Sequence, residues 1–596
     1  MKRIYYNIVC AICVISGFSS CSDFLVVEPQ NEIIFDKFWN EKADVEAIIA
    51  GCYSGLQEEG VIKRMMVWGE FRSDNIGPGS NVQSDGNLEK LLKENIDAKN
   101  TYTNWEGFYS VINRCNTVIR YAPNVAAIDP AYTESELQAN IAEMVALRSL
   151  CYFYLIRTFR DVPYSTEAFT DDDQKMDLPA TKFDAVLDSL INDLERVKGN
   201  AVRRYPVTKE MYQTGRVTQD FIHALLCELY LWKKDYQKCI DYADMVIASK
   251  KLIYEENRQK RTTSMASEDN LNRFNGFPLV SNSTSTNYFG NAYETLFGRE
   301  RGNADEINQE IIFQLVFSDD PNGTGMIANG AVNSFYGNSR SNIGLVAPSD
   351  YIYSQIETTG KDRKVYAERN KMYDARIYVN HIYRGSSTSN SNKAINKYTT
   401  RTIDISASGG TTPTASYDSK YTENQNGSNW IIYRLTDIML LKAEALAQQI
   451  TAGSDDPAVI ESNRSLMDRA FTLVNAVNKR SLCQTQLNDT LRRTDYSTKA
   501  DFESLVLQER QRELMFEGKR WYDLVRQSQR DGNTQVLKAA ALQKATTGSG
   551  LISNHLTKMD AIYWPYNLDE TKVNKYLEQN SAFSSGEDES YKKTTK

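Results

Sequence analysis

The stretch Glu509–Arg526 constrains the fold of this chain more than any other. It reads Glu-Arg-Gln-Arg-Glu-Leu-Met-Phe-Glu-Gly-Lys-Arg-Trp-Tyr-Asp-Leu-Val-Arg, with Gly518 as its only breaker. Phe502, Leu505 and Val506 lead into it at helical spacing, and Leu514, Trp521, Leu524 and Val525 carry the apolar face on. The pattern predicts one helix from Phe502 to Arg526, capped by Asp501. Glu509, Glu513 and Glu517 are four apart, so they form one row on its surface. Two readings compete for that row. Paired carboxylates perform glycoside hydrolysis, whereas Arg510, Arg512 and Arg520 close by suggest an ion-pair network. Neighbouring arginines lower a carboxyl pKa, and a general acid needs it raised. The network is the reading that fits the residues, and no catalytic residue is assigned.

The first twenty residues set the compartment. Lys2 and Arg3 precede a mostly apolar run from Ile4 to Phe18, too short to span a bilayer comfortably. Ser19 and Ser20 lead into Cys21, as small residues lead into the lipidated cysteine of a bacterial lipobox, although Phe18 stands where that pattern prefers a smaller aliphatic residue. Residues 1–20 are therefore expected to be a lipoprotein signal and Cys21 the lipidation site; ordinary secretion with a free Cys21 is the alternative. Two or more acyl chains give stable anchoring. No later run of 18 consecutive apolar residues is found, so no transmembrane helix is expected. With Cys10 and Cys13 removed and Cys21 acylated, six cysteines remain: Cys52, Cys115, Cys151, Cys227, Cys239 and Cys483. Most fall at apolar helical positions, and their spacing permits a disulfide without demanding one.

Composition excludes several chemistries. The formal charge is −8, and there is no basic block, which argues against nucleic-acid binding. His223, His381 and His555 are the only histidines, with no His-Glu-x-x-His and no Cys-x-x-Cys, so zinc and Ser-His catalysis are not expected. The 35 tyrosines outnumber the 22 phenylalanines and 7 tryptophans; a tyrosine pairs an apolar face with a polar tip, which suits sugar or peptide contact as well as half-buried packing.

Helical periodicity recurs at Val45–Leu56, Trp105–Tyr121, Glu134–Phe159, Phe183–Lys198, Thr218–Trp232 and Tyr236–Ser249, then at Leu435–Gln449 and Asn463–Lys479. Only Lys233, Lys234 and Asp235 separate Thr218–Trp232 from Tyr236–Ser249, as in a tetratricopeptide helical hairpin. The fold class is mostly α, a scaffold of such hairpins. Helical blocks cover about residues 36–255 and 430–530. Between them, about 260–428, lies a loop-rich insertion with one strand at Glu310–Phe317. Within it, residues 385–428 are dense in Ser, Thr, Asn and Gly and are expected to be surface loop.

These segments resemble the SusD/RagB family of Bacteroidetes outer-membrane lipoproteins. The resemblance rests on Cys21-Ser-Asp23-Phe24-Leu25; on Trp105, Tyr109 and Asn113-Arg114-Cys115-Asn116; and on Glu143, Arg148, Arg157 and Asp161-Val-Pro163. It continues through Gly215-Arg216-Val217-Thr218, Tyr433-Arg434-Leu435-Thr436-Asp437, the Glu509–Arg526 motif and Trp564-Pro565. Arg160 departs from it, standing where a glycine commonly precedes Asp-Val-Pro, and so does Tyr566-Asn567 after Trp564-Pro565. The resemblance implies a single domain over 21–596 that does no chemistry. It implies a lipid-anchored, surface-exposed protein of the outer membrane that captures oligosaccharide and passes it to a TonB-dependent transporter of the SusC type, within a polysaccharide-utilisation system. A peptide-binding RagB-like protein and a glycoside hydrolase are the alternatives. Calcium occurs in some relatives, but there is no dense Asp-x-Asp-x-Asp-Gly loop here, and no metal or cofactor is expected. In the insertion, Tyr288, Phe289, Tyr293, Tyr336, Tyr351 and Tyr353 lie among Asn and Ser and are the candidate ligand contacts. Asp74 and Asn75 join them, in the loop that relatives often bring to the ligand face. For each tyrosine the plainer alternative is a loop anchor packed on the helices.

Overall fold

The structure is a computed structural model that describes residues 38–583, apart from 172, 261–270, 272–273, 282–287, 290, 298–303, 319–326, 338–343, 353–373, 381–393, 407–413, 420–425, 483–490 and 545–548. Its principal helices are α1 (Lys42–Gln57), α2 (Glu59–Met66), α3 (Glu106–Ile128), α4 (Glu134–Phe159), α5 (Phe183–Val197), α6 (Gln219–Trp232), α7 (Tyr236–Lys260), α8 (Leu435–Gln448), α9 (Pro457–Arg480), α10 (Lys499–Leu514) and α11 (Arg520–Asp531). Short connectors force successive helices to lie antiparallel. The α3/α4, α6/α7 and α8/α9 hairpins result, with α1 against α3, α5 against α4, α7 against α8 and α10 against α8. This stacking of helical hairpins is tetratricopeptide-like, and the chain is mostly helical.

Helix α4 is the central rod. A reciprocal capping box of Thr133 and Glu136 starts it, satisfying two orphan backbone donors. Nearly every side chain from Ala142 to Phe159 is buried. Its mean hydropathy of 1.2 would let it pass for a membrane span, yet 89% of the window is buried inside the protein. Glu143, Arg148 and Arg157 interrupt its apolar run and find partners: Arg157 pairs with Glu228 of α6 at 2.8 Å, and Arg148 with Asp193 of α5 at 2.8 Å. It is a core helix.

Nine short strands complete the described fold: β1 (Ile76–Pro78), β2 (Val162–Pro163), β3 (Ala180–Thr181), β4 (Tyr288–Phe289), β5 (Ile311–Leu315), β6 (Val346–Pro348), β7 (Thr400–Ser406), β8 (Thr414–Ser419) and β9 (Trp430–Arg434). They pair antiparallel as β1–β6, β2–β3, β4–β7–β8 and β5–β9. In the β5–β9 pair Ile311 faces Arg434 and Leu315 faces Trp430, with every residue of both strands buried. The expected strand at Glu310–Phe317 is β5.

Two expectations are corrected. Residues 385–428 are not all surface loop: β7 and β8 form a hairpin there, and Ala394–Tyr398 is buried against the scaffold. Anchoring at particular positions substitutes for the apolar density the composition lacks. The predicted helix 502–526 is two helices. Met515–Lys519 breaks it, with Phe516 at φ 68° and Gly518 at φ 70°. Its cap is Thr498, and Asp501 instead occupies the third position of a capping box.

Candidate ligand-binding surface

The carboxylate row of α10 and the following turn is wholly buried, and its partners come from far along the chain. Glu509 takes Arg512, one turn on, at 2.7 Å and Arg376 at 2.7 Å. Glu513 takes Arg434 of β9 at 2.7 Å, Arg376 at 3.2 Å and Arg480 at the end of α9, while Tyr293 donates its hydroxyl at 3.1 Å. Glu517 takes Arg434 at 2.7 Å and Lys397 at 2.6 Å. Arg480 also holds Glu310 at 3.1 Å. Arg510 points elsewhere, to Asp437 at 2.8 Å and Asp523 at 2.9 Å, and Arg520 reaches Asp74 at 2.9 Å. Burial opposes the charge on each glutamate, yet the guanidiniums outweigh it. Arg480, Arg434 and Arg376 hold Glu513 well below the usual carboxylate range, and Glu509 and Glu517 are lowered too. Carboxylates so held cannot donate a proton near neutrality. The row is a clamp: Arg376, Lys397, Glu310 and Tyr293 all belong to the insertion, and the clamp fastens it to α9, α10 and β9.

Four of the expected ligand contacts are buried. Asp74 is 2% exposed; its carboxylate accepts from Arg520 and from Gln511 at 2.9 Å. Asn75 is fully buried, donating to Glu70 at 2.6 Å and accepting from Gln511 at 2.9 Å. Tyr293 lies on the clamp under the Arg480 guanidinium, 4.6 Å from its ring centre. Tyr336 donates to the Phe516 carbonyl at 3.0 Å and stacks on Tyr398. Each anchors its loop, which for Tyr293 and Tyr336 is the plainer alternative given above for the tyrosines.

The remaining candidates lie differently. Tyr351 is half-buried beside Ser349, whose hydroxyl donates to the Asp74 carbonyl at 2.5 Å. Burial, with the Asp74 charge nearby, pushes the Tyr351 phenol up to about 12. Asp74 thus acts beneath the surface on which Tyr351 sits. The same surface carries β1 and its turn, where Pro78, Ser80, Asn81, Gln83 and Ser84 are exposed. Backbone pairing of Gly77 with Ala347 holds that turn in register. Tyr288 and Phe289 form β4, opposite Ser406 and Ile405 of β7. Tyr353, Cys21 and residues 1–20 lie outside the described residues.

Sequence reasoning missed a groove of about 610 Å³ between α1 and the turn before α6, lined by Ala47, Tyr53, Gln57, Met211, Tyr212 and Arg216 among others. Arg216 is committed at its floor, to Glu143 at 2.6 Å and Glu46 at 3.3 Å, and lies 5.2 Å from the Tyr212 ring centre. The groove offers an apolar wall more than a free charge. Tyr205 and Tyr212, shortly before Gly215-Arg216, were the available signal. Among the described residues no group of three or more His, Cys, Asp and Glu side chains could hold a metal ion.

Comparison with known proteins fits this architecture. A family model described as "SusD family" matches residues 309–583, and one described as "Starch-binding associating with outer membrane" matches residues 23–231. A SusD-like protein, P38, of Formosa agariphila is 27% identical over 94% of this chain and 95% of its own. Among solved structures, a laminarin-binding SusD-like protein has a TM-score of 0.59 at 18% identity, over 91% of this chain and 100% of that one. Surface glycan-binding protein A of Bacteroides uniformis has a TM-score of 0.59 at 19% identity, with the same coverage. The fold and its buried clamp define a tetratricopeptide-like scaffold carrying a fastened loop insertion. Along most of its length the chain is similar to proteins of the SusD family.

Proposed function

We propose that this protein is a lipid-anchored, surface-exposed component of the outer membrane, acylated at Cys21, that binds oligosaccharide and delivers it to a TonB-dependent transporter of the SusC type. The match of residues 309–583 to the SusD-family model supports the reading, as does the description of the other matching model as starch-binding and associated with the outer membrane. The observation that carries it is the clamp. Five cations converge on the three glutamates of one row, so the most conspicuous acid cluster serves to hold loops and not to move protons. Beside Tyr351, the β1–β6 pair holds a turn of exposed planar and hydroxyl side chains, the mixture that packs on a sugar's C–H face and pairs with its hydroxyls. Tyr351 is the proposed stacking residue, with Tyr288, Phe289 and Tyr353 as further contacts.

Titration calorimetry of the full chain against oligosaccharides, and against peptides of matched length, tests this. Saturable oligosaccharide binding without release of new sugar ends is expected. Tyr351→Ala should weaken it about fivefold, since an aromatic contact contributes roughly 1 kcal/mol. Binding of peptides alone would transfer the assignment to peptide capture, and sustained hydrolysis would overturn the binding role.

A further inference from the structure

Two thiols that the scaffold brings together have no part in ligand binding. Cys227 lies in α6, five residues before its end, and Cys239 in α7, three after its start. Folding the hairpin over Lys233–Asp235 sets them face to face. Their Sγ atoms are 3.6 Å apart and both residues are fully buried. Cys239 Sγ also lies 4.0 Å from the Leu441 carbonyl. Both are reduced in this structure, as are Cys52, Cys115 and Cys151.

We propose that Cys227 and Cys239 are a disulfide pair that staples the α6/α7 hairpin when the chain folds in an oxidising compartment. The natural occurrence of the link rests on the proposed export past the inner membrane; the pairing itself rests on geometry. A disulfide needs about 2.0 Å between sulfurs. The two sulfurs, already in contact at 3.6 Å, reach it by closing the remaining distance through rotation of the two side chains. The chemistry is exchange with a small disulfide oxidant such as oxidised glutathione. One cysteine thiolate attacks the oxidant, forming a mixed disulfide and expelling one glutathione thiolate. The second cysteine thiolate then attacks the protein sulfur and expels the other, so two protein thiols are oxidised and two glutathione thiols take up the protons.

Burial dictates when this happens. It holds the Cys227 thiol well above its usual range, with Cys239 beside it adding to the effect, and no path for an oxidant reaches a fully buried sulfur. The link must form while the hairpin is closing. Folded, reduced protein should therefore resist oxidised glutathione, whereas protein refolded from denaturant in a mixture of oxidised and reduced glutathione should acquire the bond.

The test is peptide mapping by mass spectrometry without reduction, on the full chain refolded in that mixture. A linked pair of peptides carrying Cys227 and Cys239, two hydrogens lighter than the separate thiols, is expected. A melting temperature above that of the same protein refolded in reductant should accompany it, and Cys227→Ser should leave Cys239 open to alkylation in denaturant. Alkylation of both cysteines after oxidative refolding overturns the pairing, as does scrambled linkage spread over Cys52, Cys115 and Cys151. Because the buffer supplies the oxidant, a linked pair in vitro upholds the pairing even where protein taken from cells carries both thiols free; that result would count against export instead.

Discussion

Glu513 receives three guanidiniums and a phenol while being fully buried. Removing one member of such a group leaves buried charge uncompensated, which costs about 3–5 kcal/mol. Glu513→Ala should lose that much in urea unfolding, with the ligand affinity of the surviving folded protein unchanged; unaltered stability would mean that the clamp carries no load. Gly69 is constrained as tightly by shape. A Cβ there would lie 1.9 Å from the Gly518 carbonyl oxygen, so two backbone segments touch where neither can carry a side chain. Gly69→Ala must push them apart, at about 1–3 kcal/mol, measurable as a lowered urea midpoint. Arg160 shows the converse. It adopts φ 70°, a conformation glycine takes without cost, while pairing with Asp560 at 2.7 Å. The Glu509 row was legible as a network from its arginines. Its true partners, Arg376, Arg434, Arg480 and Lys397, were not, because no local spacing links residues so far apart in the chain.

The break between α10 and α11 shows why an element can be misread when its composition is read correctly. Apolar residues continue at helical spacing through Met515–Lys519, so periodicity alone predicts one helix. The turn is imposed from outside. Glu70, in the wider π-type turn Val67–Phe71, accepts the backbone N–H of Phe516 at 3.0 Å and of Lys519 at 3.1 Å. A carboxylate from far upstream thus satisfies donors at the start of α11 that a local cap would otherwise serve. Burial raises the Glu70 pKa even so, because its donors, the Asn75 amide included, are neutral. Glu70→Ala leaves those buried donors unsatisfied and should cost about 1–3 kcal/mol. Hydrogen exchange would report the damage as faster exchange confined to Phe516–Arg520 and the first turn of α11; uniform protection there would show that the turn holds itself. The hairpins, by contrast, were readable in order and type, since α3, α4 and α6 bury faces their own spacing declares, although α3 runs on to Ile128 and α7 to Lys260, past the expected ends at Tyr121 and Ser249. Which tyrosines are exposed was not readable: exposure is decided by what packs on a side chain, and Tyr293 is taken up by the clamp and Tyr336 by Phe516 and Tyr398.

At the scale of the whole molecule, the buried charges give stability an asymmetric dependence on pH. Glu509, Glu513, Glu517, Asp437 and Glu444 are all lowered, since burial is outweighed by their cations. A depressed carboxyl pKa contributes stability that is complete above the unfolded value, 4.5 for glutamate, and is lost as pH falls through the folded value. The acid limb should therefore be steep below about pH 4.5. Lys250, Lys397 and Lys544 are pushed by burial down to about 8 from 10.5. Between those values the unfolded chain holds protons that the folded protein has shed, so stability should rise with pH across that window. Buried tyrosines end the rise. Burial raises Tyr53, Tyr109, Tyr293, Tyr336 and Tyr433 well above 10.0, so beyond it the unfolded chain loses protons that the folded protein keeps. The urea midpoint measured from pH 3 to 11 should thus fall sharply on the acid side and peak on the alkaline side of neutrality, between about pH 8 and 10. Lys397→Met, which removes one of the three lysines but also the Glu517 partner, should lower the midpoint at pH 7 and flatten the rise above pH 8. A rise left intact in that variant would place its origin in Lys250 and Lys544, each of which donates to backbone carbonyls, Lys250 to Asn308 and Ile311 and Lys544 to Phe71. A midpoint that declines steadily from pH 7 to 10 would exclude all three.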